Sequence, residues 1–258
     1  MKAVNKTLYI PLYGKALVSR MGKILPDPKA EEIWRSAGFS LKGKAASKWL
    51  AYYMGMRSAV FDRWVTEKIA EDPGACVLHL GCGLDSRCLR VETAADWYDV
   101  DLPEVIDERK KYFSESGSYH MIASDIRAEG WMDRLPAGEA IVVMEGISMY
   151  LRPEELTETL RYLTAHFSKI HLLMDCYTEF AAKVSRYKNP INTVGVTEVF
   201  GLDDPKALGS AGLTFLSEIS MTPEDLICQL SPTEQRIFRK LYAGKFANRL
   251  YRMYEYKS

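Results

Sequence analysis

The chain has 258 residues, 47% of them hydrophobic, and its 34 lysines and arginines balance 34 aspartates and glutamates. That length and apolar content suit one sizeable core, so a single domain over 1–258 is expected rather than two independent units. The balanced charge argues against a nucleic-acid partner, and no apolar run reaches the roughly 18 residues of a membrane span. Met1 to Lys6 lack the apolar stretch and cleavage site of a secretion signal. Cys76, Cys82 and Cys88, three of five cysteines, fall in or beside a buried-strand pattern, which reads as reduced thiols and a cytoplasmic location. His79, His120, His166 and His171 are scattered and no zinc spacing occurs, so no metal site is expected.

Residues 1–70 read as helical and form an N-terminal lid. Asp27-Pro28 announces one helix, and Ala46 to Ala70 carries apolar residues at a period of 3.6 until Pro73-Gly74. From residue 75 the rhythm changes to strand, turn and helix. Strands are expected at 75–80, 96–100, 119–123, 140–144 and 170–174, with helices at 86–92, 104–113 and 153–166. Such alternation predicts a mostly parallel sheet covered on both faces. Residues 71–175 would form the cofactor half, and 176–258 a substrate loop and C-terminal half. In the latter, 186–212 reads as a long irregular connection, 222–241 as one helix, and 214–220 and 251–256 as two more strands.

The most informative stretch runs from Cys76 to Arg87, a buried strand entering a Gly81-x-Gly83-x-Asp85 turn. Asp101, at the end of the next strand, is placed to accept the two hydroxyls of a ribose. The dinucleotide fingerprint would need a third glycine where Ser86 stands, and Asp85 and Asp101 would repel a pyrophosphate. A sulfonium cofactor, S-adenosylmethionine, suits the same acids. Ligands collect at the carboxyl ends of parallel strands. There the sequence sets Gly81, Asp101, Asp125, Glu145 and Asp175. Each acid has a plainer reading as a cap, turn or ion-pair residue. Glu145, directly after four core residues, is hardest to dismiss, because a carboxylate there needs a partner.

These residues resemble the leucine carboxyl methyltransferase superfamily, and within it the bacterial polyketide-type O-methyltransferases. The motifs are Gly81-Cys82-Gly83-Leu84-Asp85-Ser86-Arg87, Trp97-Tyr98-Asp99-Val100-Asp101-Leu102-Pro103 and Glu145-Gly146-Ile147-Ser148-Met149-Tyr150-Leu151. Lead-in segments from Lys6 to Ala16, Asp27 to Ala30 and Met56 to Asp62 resemble that branch too. The likeness runs from about residue 6 to 175 and fades beyond about 180. It implies a class I, Rossmann-like methyltransferase fold with a seven-stranded sheet, using S-adenosylmethionine. Carried over by position, Gly81 and Gly83 lie against the cofactor, Asp101 with Leu102 holds the ribose, and Asp125 with Ile126 meets the adenine. Glu145 and Asp85 lie toward the methionine end. Arg57, and Lys15 where that branch more often has arginine, would pair with the cofactor carboxylate. Arg57 has a plainer alternative, a helix-surface pair with Asp62 or Glu67.

The resemblance implies methyl transfer to a carboxylate or hydroxyl of a small organic acceptor. A carboxylate is already ionised at neutral pH and needs no base, whereas a phenol near pKa 10 does. Tyr150 is the candidate for positioning the acceptor oxygen. Tyr177, Phe180, Tyr187 and Phe200 are expected to line its pocket. An NAD-dependent oxidoreductase, a cofactor-binding protein without turnover and a protein C-terminal carboxyl methyltransferase stand as alternatives.

Overall fold

Asp27 and Ser47 start two of the three helices that precede the sheet. The structure, a computed structural model, describes residues 7–38, 40–41, 43–185, 198–244 and 247–258. Within it α1 (Tyr9–Arg20), α2 (Pro28–Ser36) and α3 (Lys48–Glu71) form the N-terminal helical region. The Asp27 side chain accepts the N–H of Ala30, with Pro28 at the first helical position, and the Ser47 hydroxyl accepts that of Trp49. Every residue from Gly55 to Phe61 is buried, so α3 is enclosed on more than one side. Gly14 and Gly55 permit this. A β-carbon at Gly14 would lie 2.8 Å from Met54 Cβ, and one at Gly55 would lie 2.7 Å from Val18 Cγ2.

The remaining elements are β1 (Cys76–Leu80), α4 (Arg87–Arg90), β2 (Trp97–Asp101), α5 (Pro103–Arg109), β3 (Tyr119–Ala123) and β4 (Glu139–Met144). After them come α6 (Pro153–His166), β5 (Lys169–Tyr177), α7 (Glu179–Ser185), β6 (Thr214–Glu218), α8 (Glu224–Ile227), α9 (Pro232–Tyr242) and β7 (Tyr251–Lys257). The strands form one sheet of order β3-β2-β1-β4-β5-β7-β6. β1 to β5 are parallel, and β7 is antiparallel to both of its neighbours. Strand order reverses between β1 and β4, which opens a crevice at their carboxyl ends. Alternation along β1 and β4 supplies two cores. Val77, Ile141 and Val143 pack with Phe61 and Trp64 of α3, whereas Leu78, Val142 and Met144 pack with Leu156, Leu160 and Leu163 of α6.

Three expectations need correction. The helix expected over 222–241 is broken into α8 and α9. Pro232 has no N–H to continue a helix, and Ser231 with Glu234 starts a new one through a reciprocal cap. Part of the irregular 186–212 connection is ordered: Pro205–Ala211 is a 3₁₀ helix capped by the Asp204 side chain, while Tyr187 and the rest of 186–197 lie outside the described residues. β5 continues three residues past 174, because its ladder with β7 extends to Tyr177 opposite Tyr251. Asp175 therefore sits inside a strand, not at its end.

Gly14→Val should cost about 1–3 kcal/mol by overpacking the contact between α1 and α3. Chemical denaturation measures this; an unchanged midpoint would mean that the two helices are not held this closely.

Candidate active site

The turn after β1 is made by two left-handed glycines, Gly81 at φ 66° and Gly83 at φ 52°. A β-carbon on Gly81 would lie 2.4 Å from Ile147 Cδ1, so this glycine admits a side chain of the loop after β4 as well as any ligand. The Gly83 N–H donates to Asp101 Oδ2 at 2.8 Å, and the Leu102 N–H donates to Asp101 Oδ1 at 2.7 Å. Burial pushes the Asp101 carboxyl up to about 6, against the pull of these two N–H groups. One residue pair deeper, Asp99 accepts from Trp97 Nε1 at 2.9 Å, from the Tyr119 hydroxyl at 2.7 Å and from Arg109. Arg109 also donates to the carbonyls of Gly83 at 3.0 Å and Asp85 at 2.7 Å, so α5 bolts the glycine turn in place.

Beside the turn, lid and sheet share a buried ionic network. Lys15 Nζ lies 2.7 Å from Asp85 Oδ2. Arg90 reaches Asp27 at 2.6 Å, Asp62 at 2.7 Å and Asp85 at 3.0 Å. Arg87 donates to Asp62 at 2.6 Å and to Glu145. Arg57 bonds Glu145 Oε1 through Nε at 3.1 Å and Nη2 at 2.9 Å, and bonds Asp175 Oδ2 through Nη1 at 2.9 Å. The surroundings favour ionised Asp85 and Glu145, whereas burial raises the carboxyl of Asp175. Burial works to raise Asp85, but Lys15, Arg90 and Arg87 hold it well below the usual carboxylate range. Burial likewise opposes ionisation of Glu145, and Arg57 and Arg87 lower it to about 2.

A cavity of about 640 Å³ runs from the glycine turn to the lid. Gly81, Gly83, Asp101, Leu102, Asp125 and Ile126 line one part. Leu50, Tyr53, Met54, Tyr150, Tyr177, Tyr242 and Tyr251 line another, and Lys15, Arg57, Asp85 and Glu145 lie along the wall between the elements. Leu50, Tyr53, Met54 and Arg57 reach it together because their spacing makes one stripe of α3. Tyr150 and the residues expected to bind the cofactor thus line a single cavity, whereas Asp175 of the strand-end set is not among the lining residues. Of the expected aromatic wall, Tyr177 lines it, whereas Phe180 is 46% exposed and Phe200 is not among the lining residues.

Several placements differ from the sequence reading. Arg57 is no surface residue; it is 4% exposed and turns from Asp62 to Glu145 and Asp175. Asp125 is paired with Arg127 at 2.6 Å near the cavity edge. Ser86, at the position of the missing glycine, donates to Asp27 Oδ1 at 2.5 Å and so ties α2 to the turn. Sequence reasoning missed Arg87, Arg90, Asp62, Arg109 and Tyr251. Arg87 and Arg90, three apart on the short helix after the turn, were the available signal, since two arginines there must find acids. Burial pushes the thiols of Cys76 and Cys88 up to about 11 and about 12, which leaves them protonated. Among the described residues no metal-binding cluster of His, Cys, Asp or Glu occurs. Nor is any described helix long and apolar enough to cross a membrane.

Comparison with known proteins gives the same picture. A family model described as leucine carboxyl methyltransferase matches residues 5–164. The tetracenomycin polyketide synthesis O-methyltransferase TcmP of Streptomyces glaucescens is 30% identical over 98% of this chain and 97% of its own. The likeness therefore continues past residue 180, where the motifs give out. The S-adenosyl-L-methionine-dependent methyltransferase dpfgK of Gibberella zeae is 24% identical over 81% of this chain and 78% of its own. An S-adenosylmethionine-dependent methyltransferase from Mesorhizobium loti shares the fold with a TM-score of 0.54 at 12% identity, over 76% of this chain and 98% of that one.

The depressed carboxylates predict acid sensitivity. A group whose folded pKa lies below its unfolded value stabilises fully above the unfolded value, about 4.5 for Glu145, and that contribution is lost as pH falls toward about 2. Urea midpoints should therefore drop between pH 4.5 and 3. Glu145→Gln should cost about 3–5 kcal/mol at pH 7, because Arg57 keeps only Asp175 and Arg87 keeps only Asp62 and the more distant Asp85 as carboxylate partners. Its acid slope should be flatter; an equally steep slope would assign the sensitivity elsewhere.

Proposed function

Because the chain belongs to the leucine carboxyl methyltransferase family and is an S-adenosylmethionine-dependent methyltransferase, we propose that it methylates an oxygen, foremost a carboxylate, of a small polyketide-like aromatic acceptor. The observation that carries this reading is the make-up of the tyrosine-lined part of the cavity. Among the described lining residues, His79 and Cys82 belong to β1 and the glycine turn, and the carboxylates Asp85, Asp101, Asp125 and Glu145 end or follow β1 to β4; α3, β5, α9 and β7, which bring Leu50, Tyr53, Met54, Tyr177, Tyr242 and Tyr251, add no histidine, cysteine or carboxylate. Burial raises Tyr150 above its ordinary value, so its hydroxyl keeps its proton and serves as a donor, not a base. An acceptor that arrives already ionised fits such a wall. A carboxylate, with a pKa of about 4, does so; a phenol near about 10 does not.

The donor set fits the cofactor. Among the described residues that line the cavity, Lys15, Arg57 and Arg127 set three cations against the four carboxylates of Asp85, Asp101, Asp125 and Glu145. A pocket with surplus negative charge suits a ligand of net positive charge and opposes a pyrophosphate. When bound, S-adenosylmethionine supplies a methyl group activated by its sulfonium. In this reading Asp101 accepts the ribose hydroxyls beside Gly81, Gly83 and Leu102, and Asp125 with Ile126 meets the adenine. Arg57 and Lys15 face the methionine carboxylate. Asp85 and Glu145, whose oxygens already serve cations, meet the α-ammonium through their charge. Tyr150 donates to the acceptor oxygen and orients it, while the tyrosine wall excludes water.

Three outcomes follow. Labelled methyl should reach aromatic carboxylic acids as base-labile esters; label only on free phenols, or a thermal shift with NAD and none with S-adenosylhomocysteine, overturns the reading. Because the folded Asp101 pKa is raised, its protonated form favours the fold below about pH 4, and that contribution is lost above about 6. Ribose binding needs the carboxylate, so S-adenosylhomocysteine affinity should be flat above pH 7 and weaken as pH falls through about 6. Asp101→Asn should be weaker by about 2–3 kcal/mol and insensitive to pH there. Tyr150→Phe should lower kcat about tenfold, the worth of one hydrogen bond, with cofactor affinity unchanged; an altered affinity instead would move Tyr150 to the cofactor.

A further inference from the structure

The geometry points to Tyr251 of β7 as a positioning residue that holds Arg57 ready for the methionine carboxylate of the cofactor. This rests on the reading that Arg57 binds that carboxylate. Arg57 has five N–H groups. Nε donates to Glu145 Oε1, an oxygen that also lies 2.9 Å from Nη2, and the two N–H groups of Nη1 go to Asp175 at 2.9 Å and to the Tyr251 hydroxyl at 2.8 Å. One N–H on Nη2 remains without a partner among the described residues. Arg57 lines the cavity, and Gly146 keeps that side of the guanidinium clear, because a β-carbon there would press against Nη1 and Nη2 at 3.4 Å.

Tyr251 determines where that free edge points. Its hydroxyl accepts from Arg57 and donates to Asp175 Oδ2 at 2.7 Å, the oxygen that Arg57 also touches. The Gly146 N–H satisfies the other oxygen, Oδ1, at 2.6 Å. Asp175 and Tyr251 are both buried, at 0% and 8% exposure, so water cannot replace a lost donor cheaply. Without the hydroxyl, Asp175 Oδ2 would depend on Arg57 alone and Nη1 would lose an acceptor, so the fork would be drawn onto Asp175. The Tyr251 ring is itself fixed edge-on to Tyr177 at 4.9 Å, which keeps the hydroxyl in place.

Calorimetric titration with S-adenosylhomocysteine and with 5′-methylthioadenosine, which lacks the amino-acid end, tests this. Tyr251→Phe should bind the first about tenfold more weakly, the worth of one hydrogen bond, and the second within twofold of the unmodified protein. Equal losses for both ligands, or none, would overturn the proposal. Asp175→Asn removes the acceptor that orders both hydroxyl and guanidinium and should give the same split, which keeps the test open if the first variant does not fold. Arg57→Gln separates the two levels of inference. If it loses neither ligand, or both alike, the carboxylate reading fails; if it shows the split and Tyr251→Phe does not, only the role of Tyr251 fails.

Discussion

Arg57 and Arg87 are buried, and the Arg90 side chain is only 8% exposed, where the helical lid meets the carboxyl edge of the sheet, and every one must be neutralised there. Removing an ion from water costs several kcal/mol even after relaxation. A contact near 3 Å returns an amount of the same order at an effective dielectric of about 20. The network therefore restores what burial takes away and adds little net stability. What it does enforce is assembly. The lid brings Lys15, Asp27, Arg57 and Asp62, and the sheet edge brings Asp85, Arg87, Arg90, Glu145 and Asp175. Neither part can bury its own charges without the other.

This constraint explains why the cavity is closed by the first seventy residues and not by the sheet alone. α1 lies close on α3 through Gly14 and Gly55, which carries Lys15 to Asp85. Asp27 both starts α2 and receives Ser86 and Arg90, so one carboxylate joins a helix terminus to the glycine turn. The same network that closes the lid also fixes Lys15, Arg57, Asp85 and Glu145 along the cavity wall. In-line methyl transfer asks the protein mainly for orientation and exclusion of water. A rigid, paired wall of charge beside an apolar, tyrosine-rich wall supplies both.

The antiparallel β7 is the second decisive feature. Lying between β5 and β6, it carries Tyr251 from the end of the chain to a place beside Arg57, and its pairing with Tyr177 lengthens β5 so that Asp175 is held within the ladder. The cavity is thus assembled from widely separated stretches of chain: the lid, the turns after β1, β2 and β3, the loop after β4, the end of β5 with α7, the end of α9, and the C-terminal strand.

Much of the frame was readable from local pattern. Runs such as Ile141-Val142-Val143-Met144 mark strands buried on both faces, and Asp101 is identified by its place at the end of β2, because both signals act within a few residues. The break at Pro232 was equally local, in Ser231-Pro232 and Glu234, and was masked only by the apolar periodicity around it. The choice of ion-pair partners was not readable. Asp62 is five residues from Arg57 and looks like its natural partner, yet Arg87 and Arg90 take it, while Arg57 finds Glu145, Asp175 and Tyr251 at separations of 88, 118 and 194 residues. A sequence states which charges must be buried with partners; which acid meets which arginine depends on how strands and helices are stacked, because Coulomb attraction and hydrogen bonding act through space and not along the chain.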